Sequence, residues 1–210
     1  MSRKTVHLDP FYPVVPDADW VARLVPRGVK TIQLRLKDAG IDARRRQIGD
    51  SMNVCARHGC QLIVNDYWAD AIGLGADCIH LGQEDLAASD LDIIHASGIG
   101  LGVSSHDRGE LKTALDAAPH HVALGPIYET TLKKMKWRPQ GLDRLADWVA
   151  RAGRPVVAIG GISLERAADV WAQGPASIAV VTDVVFHDSP DARTDAWLVW
   201  AEEMRSVPAA

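Results

Sequence analysis

Three polar side chains occupy every second position in the segment VKTIQLRLKD, residues 29–38. Gln33, Arg35 and Lys37 alternate there with aliphatic residues, which is the period-two pattern of a β-strand. An amide, a guanidinium and an ammonium on one strand face can bind a phosphate or a diphosphate. If that face is buried, the two cations need such an anion, because unpaired charge is costly to bury. Two alternatives stay open: an ion pair within the protein, or a sheet whose polar face meets water.

Acidic side chains follow the next two apolar runs. Asn65 and Asp66 end the segment QLIVND, and Glu84 and Asp85 come shortly after CIHLG. Carboxylate oxygens are the ligands that Mg²⁺ takes when it also binds a substrate phosphate. Asp85 taken alone could be only the N-cap of a helix. Two aspartates near two cations favour a magnesium diphosphate site with Asp66 and Asp85 as metal ligands.

Eight short apolar runs recur along the chain, separated by helical patterns that often start at Asp or Ser and end at Gly, as capped helices do. The runs cover residues 12–16, 30–37, 61–65, 77–81, 98–104, 121–127, 155–161 and 177–182. This order, with no internal linker, predicts an α/β fold: a single-domain (β/α)8 TIM barrel over residues 1–210. A doubly wound open sheet is the main rival, but it usually has fewer strands and a glycine-rich turn after the first one.

In a barrel, the polar face of the second strand points inward and rises toward the C-terminal mouth, where active sites of this fold lie. The loop after the sixth run (125–141) is basic, and either a solvated loop or an anion-binding lid fits it. The segments IGGI (159–162) and VVTD (180–183) supply backbone N–H groups for a phosphate, although Gly-Gly is also typical of any tight turn.

The fifth run ends at Ser104, and its Gly100 and Gly102 predict a ligand cavity inside the barrel. Histidines receive little weight. His80 lies within the fourth strand and is interpreted as a core residue. His120 and His121 begin the sixth strand, at the end of the barrel opposite the mouth. No Ser-His-Asp or Cys-His order fits the mouth positions, so nucleophilic acyl chemistry is disfavoured.

Composition limits the partners. A formal net charge of -4 and a pI near 6.0 argue against nucleic acid and anionic membranes. Three cysteines without metal-type spacing indicate buried, reduced thiols. No segment approaches the ~20 apolar residues of a membrane span. We therefore expect a cytoplasmic protein that binds small molecules.

Eight segments, in order, resemble those of the thiamine phosphate synthase family. They are QLRLKD (33–38), NDYW (65–68), HLGQEDL (80–86), LGVSSHD (101–107), ALGPIYETTLKK (123–134), PQGL (139–142), AIGGIS (158–163) and IAVVT (178–182). The family consists of TIM-barrel transferases that join 4-amino-2-methyl-5-hydroxymethylpyrimidine diphosphate to a thiazole phosphate, giving thiamine monophosphate and diphosphate. The resemblance implies this activity, Mg²⁺ as cofactor, and by analogy allows a homodimer.

The resemblance also implies roles for individual residues. The residues implied to bind the pyrimidine diphosphate are Gln33, Arg35, Lys37, Asn65 and Ser104. The residues implied to line the thiazole phosphate side are Thr130, Lys133, Gly161, Val181 and Thr182, and the implied Mg²⁺ ligands are Asp66 and Asp85. The family mechanism is dissociative: diphosphate leaves first, and the thiazole nitrogen captures a pyrimidine methylene cation. Arg35, Lys37 and Lys133 would be catalytic, since such a reaction needs neutralisation of the leaving group more than a general base.

Departures from the family pattern affect the phosphate side. The family usually has Thr-x-Thr-Lys in the loop after the sixth strand, whereas Leu132 replaces the second Thr here, and Glu129 stands where Pro is common. Thr131 supplies the missing hydroxyl only if the loop backbone shifts. Asp183 follows Thr182 where a small apolar residue is common, and its carboxylate would repel a phosphate unless it points away.

Two other functions stay open. A thiazole tautomerase on the same barrel would act on the thiazole phosphate alone, and it would not need the diphosphate and Mg²⁺ residues that this chain retains. A non-catalytic barrel would bind thiamine phosphate or its precursors without forming product.

Overall fold

The computed structural model describes residues 4–37, 39–130 and 137–206, and its eight parallel strands form a closed barrel. The strands are β1 (Phe11–Val15), β2 (Thr31–Leu34), β3 (Gln61–Asn65), β4 (Cys78–Leu81), β5 (Gly100–Ser105), β6 (His121–Leu124), β7 (Val156–Ile159) and β8 (Ser177–Val180). Each strand pairs with the next, and β8 closes the barrel on β1, with Tyr12 opposite Ala179. The predicted single-domain TIM barrel is confirmed, and each apolar run overlaps one strand.

Helices alternate with the strands and cover the outside of the barrel. The described helices are α1 (Ala18–Leu24), α2 (Ile41–His58), α3 (Trp68–Leu74), α4 (Gln83–Ala88), α5 (Leu91–Ser97), α6 (Arg108–Asp116), α7 (Gly141–Ala152), α8 (Leu164–Trp171), α9 (Thr182–Val185) and α10 (Pro190–Ser206), with a 3-10 helix at Val25–Arg27. The helical pattern between β4 and β5 forms two helices because Asp90 caps the second one, accepting a hydrogen bond from the Ile93 N–H at 3.0 Å.

Apolar side chains form two layers. Ile32, Leu34 and Leu36 pack in the larger outer cluster, which also contains the buried faces of the helices. A smaller cluster inside the barrel includes Tyr12 and Val157. The alternation along β2 thus places its aliphatic residues outward, as predicted, and leaves its polar residues for the barrel interior.

At the N-terminal end of the barrel, Val6 fills the space beside Gly100. A Cβ on Gly100 would lie 2.2 Å from Cγ2 of Val6, a buried residue of the segment that precedes β1. The prediction that Gly100 leaves space for a ligand is therefore wrong, because Val6 occupies that space. The larger chamber lies at the opposite end of the barrel.

The three cysteines are free thiols; Cys55 and Cys78 are buried and Cys60 is half-buried. Burial is the main cause that raises the pKa of the Cys78 thiol, which keeps it protonated at neutral pH. In the part of the chain that the structure describes, no helix is both long enough and apolar enough to span a membrane.

Candidate active site

The inward-facing side chains of β2 and of the residues that follow it, up to Lys37, line a chamber of about 680 Å³ at the C-terminal end of the barrel. Exposure increases along this face: Gln33 is buried, Arg35 is half-buried and Lys37 is exposed. Nε2 of Gln33 donates to the Tyr12 hydroxyl over 2.5 Å, and burial raises the pKa of that tyrosine. Both cations therefore reach the chamber as the alternation predicts, although Lys37 lies at a solvated rim rather than in a dry interior.

Most of the predicted substrate-binding residues line this chamber. They are Gln33, Arg35, Lys37, Asn65, Ser104, Thr130, Gly161, Val181 and Thr182. Thr131 and Lys133, together with Leu132, lie outside the residues that the structure describes. The chamber thus collects residues from six strand ends or the turns after them, which is how active sites of barrels are built.

Asp66 interacts with Asp85 and with Arg35, a residue that lines this chamber. The Asp66 N–H donates to the His80 carbonyl at 2.9 Å, which fixes the turn after β3 against β4. Asp66 has a positive φ of 64°, a left-handed conformation that aspartate tolerates better than most residues. The pKa of the Asp66 carboxyl is raised to about 6: burial is the largest cause and the Asp85 carboxylate adds to it, whereas Arg35 opposes the rise. Two carboxylates this close repel each other unless one is protonated or a cation binds them.

The two carboxylates fit Mg²⁺. Asp85 lies in the first turn of α4, whose N-cap is Gly82, so the N-cap alternative for Asp85 is wrong. Among the described residues, no group of three or more His, Cys, Asp or Glu side chains could hold a metal ion. A two-carboxylate site suits a hard cation that takes its other ligands from substrate phosphates and water.

Ser104 is held by a histidine that the sequence alone suggested was only a core residue. Its Oγ lies 2.9 Å from Nε2 of His80, and Nδ1 of His80 lies 3.5 Å from Nε2 of His121. A Cβ on Gly102 would lie 2.2 Å from Nε2 of His121. The prediction that Gly102 leaves space for a ligand is therefore wrong, because two imidazole rings fill that space. His80 itself lines the chamber.

His106 also lines the chamber, and sequence reasoning assigned it no role. Its Nδ1 lies 2.7 Å from Oε2 of Glu110, and its ring centroid lies 4.8 Å from that of Trp137. The four-residue spacing of His106 and Glu110 was the available signal, because side chains at that spacing meet at the start of a helix.

The glycine pair after β7 is required by a close approach of two loops. Gly160 and Gly161 have positive φ angles of 98° and 67°. A Cβ on Gly161 would lie 2.3 Å from the Glu129 carbonyl, and one on Gly160 would lie 2.7 Å from Cα of Pro126. Only glycine combines this backbone conformation with this contact. The pair therefore holds the loop after β6 against the mouth.

Asp183 points away from the chamber. Its Oδ2 accepts hydrogen bonds from Nε of Arg193 at 2.8 Å, from Nε1 of Trp197 at 2.7 Å and from the Leu164 N–H at 3.2 Å. Oδ1 accepts from Nη2 of Arg193 at 2.8 Å. Arg193 also bonds to Glu165. The carboxylate that would have repelled a phosphate is thus neutralised and joins α8, α9 and α10.

Comparison with known proteins gives a consistent set of relatives. A family model described as thiamine monophosphate synthase matches residues 11–184. The chain is 55% identical over 203 residues to the thiamine-phosphate synthase of Rhizobium etli, covering 96% of this chain and 100% of that protein. It is 46% identical over 183 residues to the thiamine-phosphate synthase of Neisseria meningitidis serogroup A, covering 87% of this chain and 89% of that protein.

Solved structures agree on the fold. A thiamine phosphate pyrophosphorylase from Pyrococcus furiosus superposes with a TM-score of 0.81 at 24% sequence identity, over 92% of this chain and 95% of that one. A structure described as native KDPGal superposes with a TM-score of 0.73 at 13% identity, over 99% and 100% of the two chains. At these identities the likeness concerns the barrel alone.

Proposed function

The chain belongs to the thiamine monophosphate synthase family, and we propose that its chamber joins an aminopyrimidine diphosphate to a thiazole phosphate. Its activity is that of a thiamine-phosphate synthase, a transferase. The observation that carries the assignment to this site is the chamber lined by Gln33 of β2 and by Arg35 and Lys37 directly after it, with Arg35 close enough to Asp66 to lower its pKa. Cations and a metal-binding carboxylate pair together suit a diphosphate leaving group.

Gln33 of β2 and the two cations that follow this strand bind and neutralise that leaving group. The guanidinium of Arg35 and the ammonium of Lys37 pair with its phosphate oxygens, and Gln33 contributes its amide beside Tyr12. The pyrimidine methylene C–O bond breaks with its electron pair going to the diphosphate, and the thiazole nitrogen then donates its lone pair to form the new C–N bond. Neither step needs a general base, which agrees with the low pKa of about 4 that burial gives His80.

We assign the Mg²⁺ site to Asp66 and Asp85. A bound Mg²⁺ supplies neutralisation of diphosphate charge. The chain itself contributes the orientation of the two carboxylates: the Gly82 N–H bonds to Asp66, and Nδ2 of Asn65 donates to Oδ2 of Asp66 over 2.5 Å. Arg35 lies on the same side, so the β2 cations and the carboxylate pair act on one ligand.

We assign the thiazole phosphate to the opposite wall of the chamber. The residues of that wall are Thr130, Gly161, Val181 and Thr182. The wall is supported by the Gly161 turn and by the neutralised Asp183. Lys133 and Thr131, which we also assign to phosphate binding, belong to the segment 131–136 outside the described residues.

Composition supports the proposed partners and cellular location of the enzyme. A net charge of -4 supports small-molecule substrates rather than nucleic acid or an anionic membrane as partners, and a cytoplasmic location suits free thiols. A homodimer is proposed from the family resemblance.

The test is a reconstituted reaction. Purified protein is incubated with both substrates and Mg²⁺, and thiamine monophosphate and diphosphate are quantified. We expect both products in equal amounts, and Arg35→Gln should reduce kcat at least tenfold, while the matched surface change Lys112→Gln, in an exposed pair with Asp116, should not. Absence of product overturns the proposal, and isomerisation of the thiazole phosphate without the pyrimidine substrate indicates a tautomerase instead.

A further inference from the structure

A column of three histidines runs through the barrel to Ser104. Nδ1 of His120 lies 3.4 Å from Nδ1 of His121, Nε2 of His121 lies 3.5 Å from Nδ1 of His80, and Nε2 of His80 lies 2.9 Å from the Ser104 hydroxyl. His121 and His80 are buried, whereas His120 is half-buried at the N-terminal end. The column therefore joins the bottom of the barrel to one wall of the chamber.

The fold makes room for this column. Gly102 pairs with His121 across β5 and β6 and with His80 across β4 and β5. A Cβ at Gly102 would come within 2.2 Å of the His121 ring and 2.6 Å of Nδ1 of His80. Any other residue at this position would displace both rings. The glycine in β5, which lies between β4 and β6, therefore permits the contact of the two histidines.

Each imidazole ring of the column is neutral at pH 7 and has one N–H. Burial lowers the pKa of His80 to about 4, and burial together with the neighbouring histidines lowers the pKa of His121. Burial also lowers the pKa of His120. A neutral imidazole has one N–H donor and one acceptor nitrogen, so the proton position on one ring fixes the positions on the next.

The bottom of the column sets the direction. Interaction with the Val6 backbone raises the pKa of His120, which is the effect of ring N–H donation to a carbonyl. Since Nδ1 of His120 faces His121, we assign the His120 proton to Nε2. Nδ1 of His120 then accepts from Nδ1–H of His121. Nε2 of His121 accepts in turn from Nδ1–H of His80. Nε2 of His80 is left as the acceptor for the Ser104 O–H.

We propose that His80 and His121 are positioning residues that hold the Ser104 hydroxyl hydrogen away from the chamber, so that its oxygen accepts an N–H of the substrate. The amino group of the aminopyrimidine is the donor of that chemistry. The proposal rests on the proposed function for the identity of this donor. It assigns to the column a specificity role: it selects a ring with an amino group over one that presents an acceptor.

The first test needs no activity. The imidazole nitrogens of the full-length protein, labelled with ¹⁵N-histidine, are observed by long-range ¹H–¹⁵N NMR without substrates, and signals are assigned with His80→Asn and His121→Gln. We expect protonated Nδ1 and bare Nε2 on both His80 and His121. A proton on Nε2 of His80 would overturn the proposal, because the Ser104 oxygen would then be a hydrogen-bond acceptor to His80 and its hydrogen would face the ligand.

The second test compares two changes at His121. His121→Gln retains an acceptor oxygen for Nδ1–H of His80, whereas His121→Phe fills the space without one. We expect His121→Phe to raise KM for the pyrimidine diphosphate about tenfold, the effect of one hydrogen bond, with KM for the thiazole phosphate unchanged. His121→Gln should recover most of that loss. Equal effects of the two variants, or equal changes in both KM values, would indicate a packing role only and overturn the proposal.

The two tests distinguish a failure of the proposed function from a failure of the histidine proposal. A wild-type protein that forms no thiamine monophosphate refutes the proposed function, while the tautomers are still measured by NMR. If His121→Phe does not fold, Gly102→Ala displaces the same rings and is expected to shift the His80 proton to Nε2. An unchanged His80 tautomer in that variant would overturn the relay.

Discussion

Replacement of Asp183 should destabilise the protein more than its position beside a surface loop suggests. Its carboxylate accepts hydrogen bonds from Nε and Nη2 of Arg193 at 2.8 Å, from the Trp197 indole N–H at 2.7 Å and from the Leu164 N–H at 3.2 Å. The side chains of Asp183 and Arg193 are 12% and 13% exposed, and Trp197 is fully buried. Asp183→Ala would therefore leave a shielded guanidinium and a buried indole N–H without this acceptor.

The expected loss in the free energy of unfolding follows from the guanidinium and the indole N–H that lose their acceptor. Removal of one partner from a buried ion pair costs about 3 to 5 kcal/mol, and an unsatisfied buried donor costs about 1 to 3 kcal/mol. The two effects share one carboxylate and do not add fully, and Arg193 keeps its bonds to Glu165. We therefore expect Asp183→Ala to lower the free energy of unfolding by about 4 kcal/mol. Asp183→Asn retains an acceptor oxygen for Trp197 and should cost about 2 kcal/mol.

Urea unfolding at pH 7.5 measures the effect. At a denaturant slope of about 2.5 kcal/mol/M, a loss of about 4 kcal/mol lowers the midpoint by roughly 1.5 M. The matched control is Glu165→Gln, which removes the other partner of Arg193, and its side chain is 68% exposed. Such an exposed pair contributes at most about 1 kcal/mol. If Asp183→Ala costs no more than Glu165→Gln, Asp183 does not anchor α8, α9 and α10.

Three further outcomes are expected. Asp66→Asn should stabilise the protein in EDTA at pH 7.5 by about 1 to 2 kcal/mol, since the fold raises the Asp66 pKa to about 6 and so disfavours its charge. Product formation with Mg²⁺ should fall in the same variant. A lower urea midpoint would contradict the expected stabilisation. Gly161→Ala should raise KM for the thiazole phosphate more than KM for the pyrimidine diphosphate, because its Cβ would collide with the Glu129 carbonyl, and unchanged KM values would refute it. Burial lowers the His80 pKa to about 4, so on acidification the unfolded chain takes up a proton on His80 before the folded chain does. The free energy of unfolding should therefore fall between pH 6.5 and 4, by at most about 3 kcal/mol. If the urea midpoint of His80→Gln has the same pH dependence as that of the wild type, His80 does not contribute.

The barrel could be predicted because its information is local and repeated. Each apolar run marks one strand, and the order of runs and helical patterns fixes the topology once parallel connections are assumed. The alternation along the run 30–37, which includes β2 and the residues after it, also gave the direction of Gln33, Arg35 and Lys37, because a period of two separates the faces of an extended chain. Local pattern therefore sufficed wherever the relevant neighbours were those of the same strand.

Contacts across the barrel could not be predicted in this way. A glycine in a strand indicates a missing side chain, but not what fills the space, and at Gly102 the space is filled by rings from β4 and β6. Asp183 could be recognised as a charge near a phosphate site, but its partner Arg193 is ten residues away on α10. In both cases the decisive neighbour comes from another element, and only the folded chain shows it.

The ion-pair alternative for the β2 cations can now be weighed on distances. Among the described residues, no carboxylate lies within 4.0 Å of the charged nitrogens of Arg35 or Lys37. Arg35 is nevertheless near enough to Asp66 to lower its pKa, while Asp85 raises it. An internal ion pair would have brought these opposite charges into contact. Their separation leaves the cations facing the chamber and the carboxylates facing each other, an arrangement that an anion together with a divalent cation would complete.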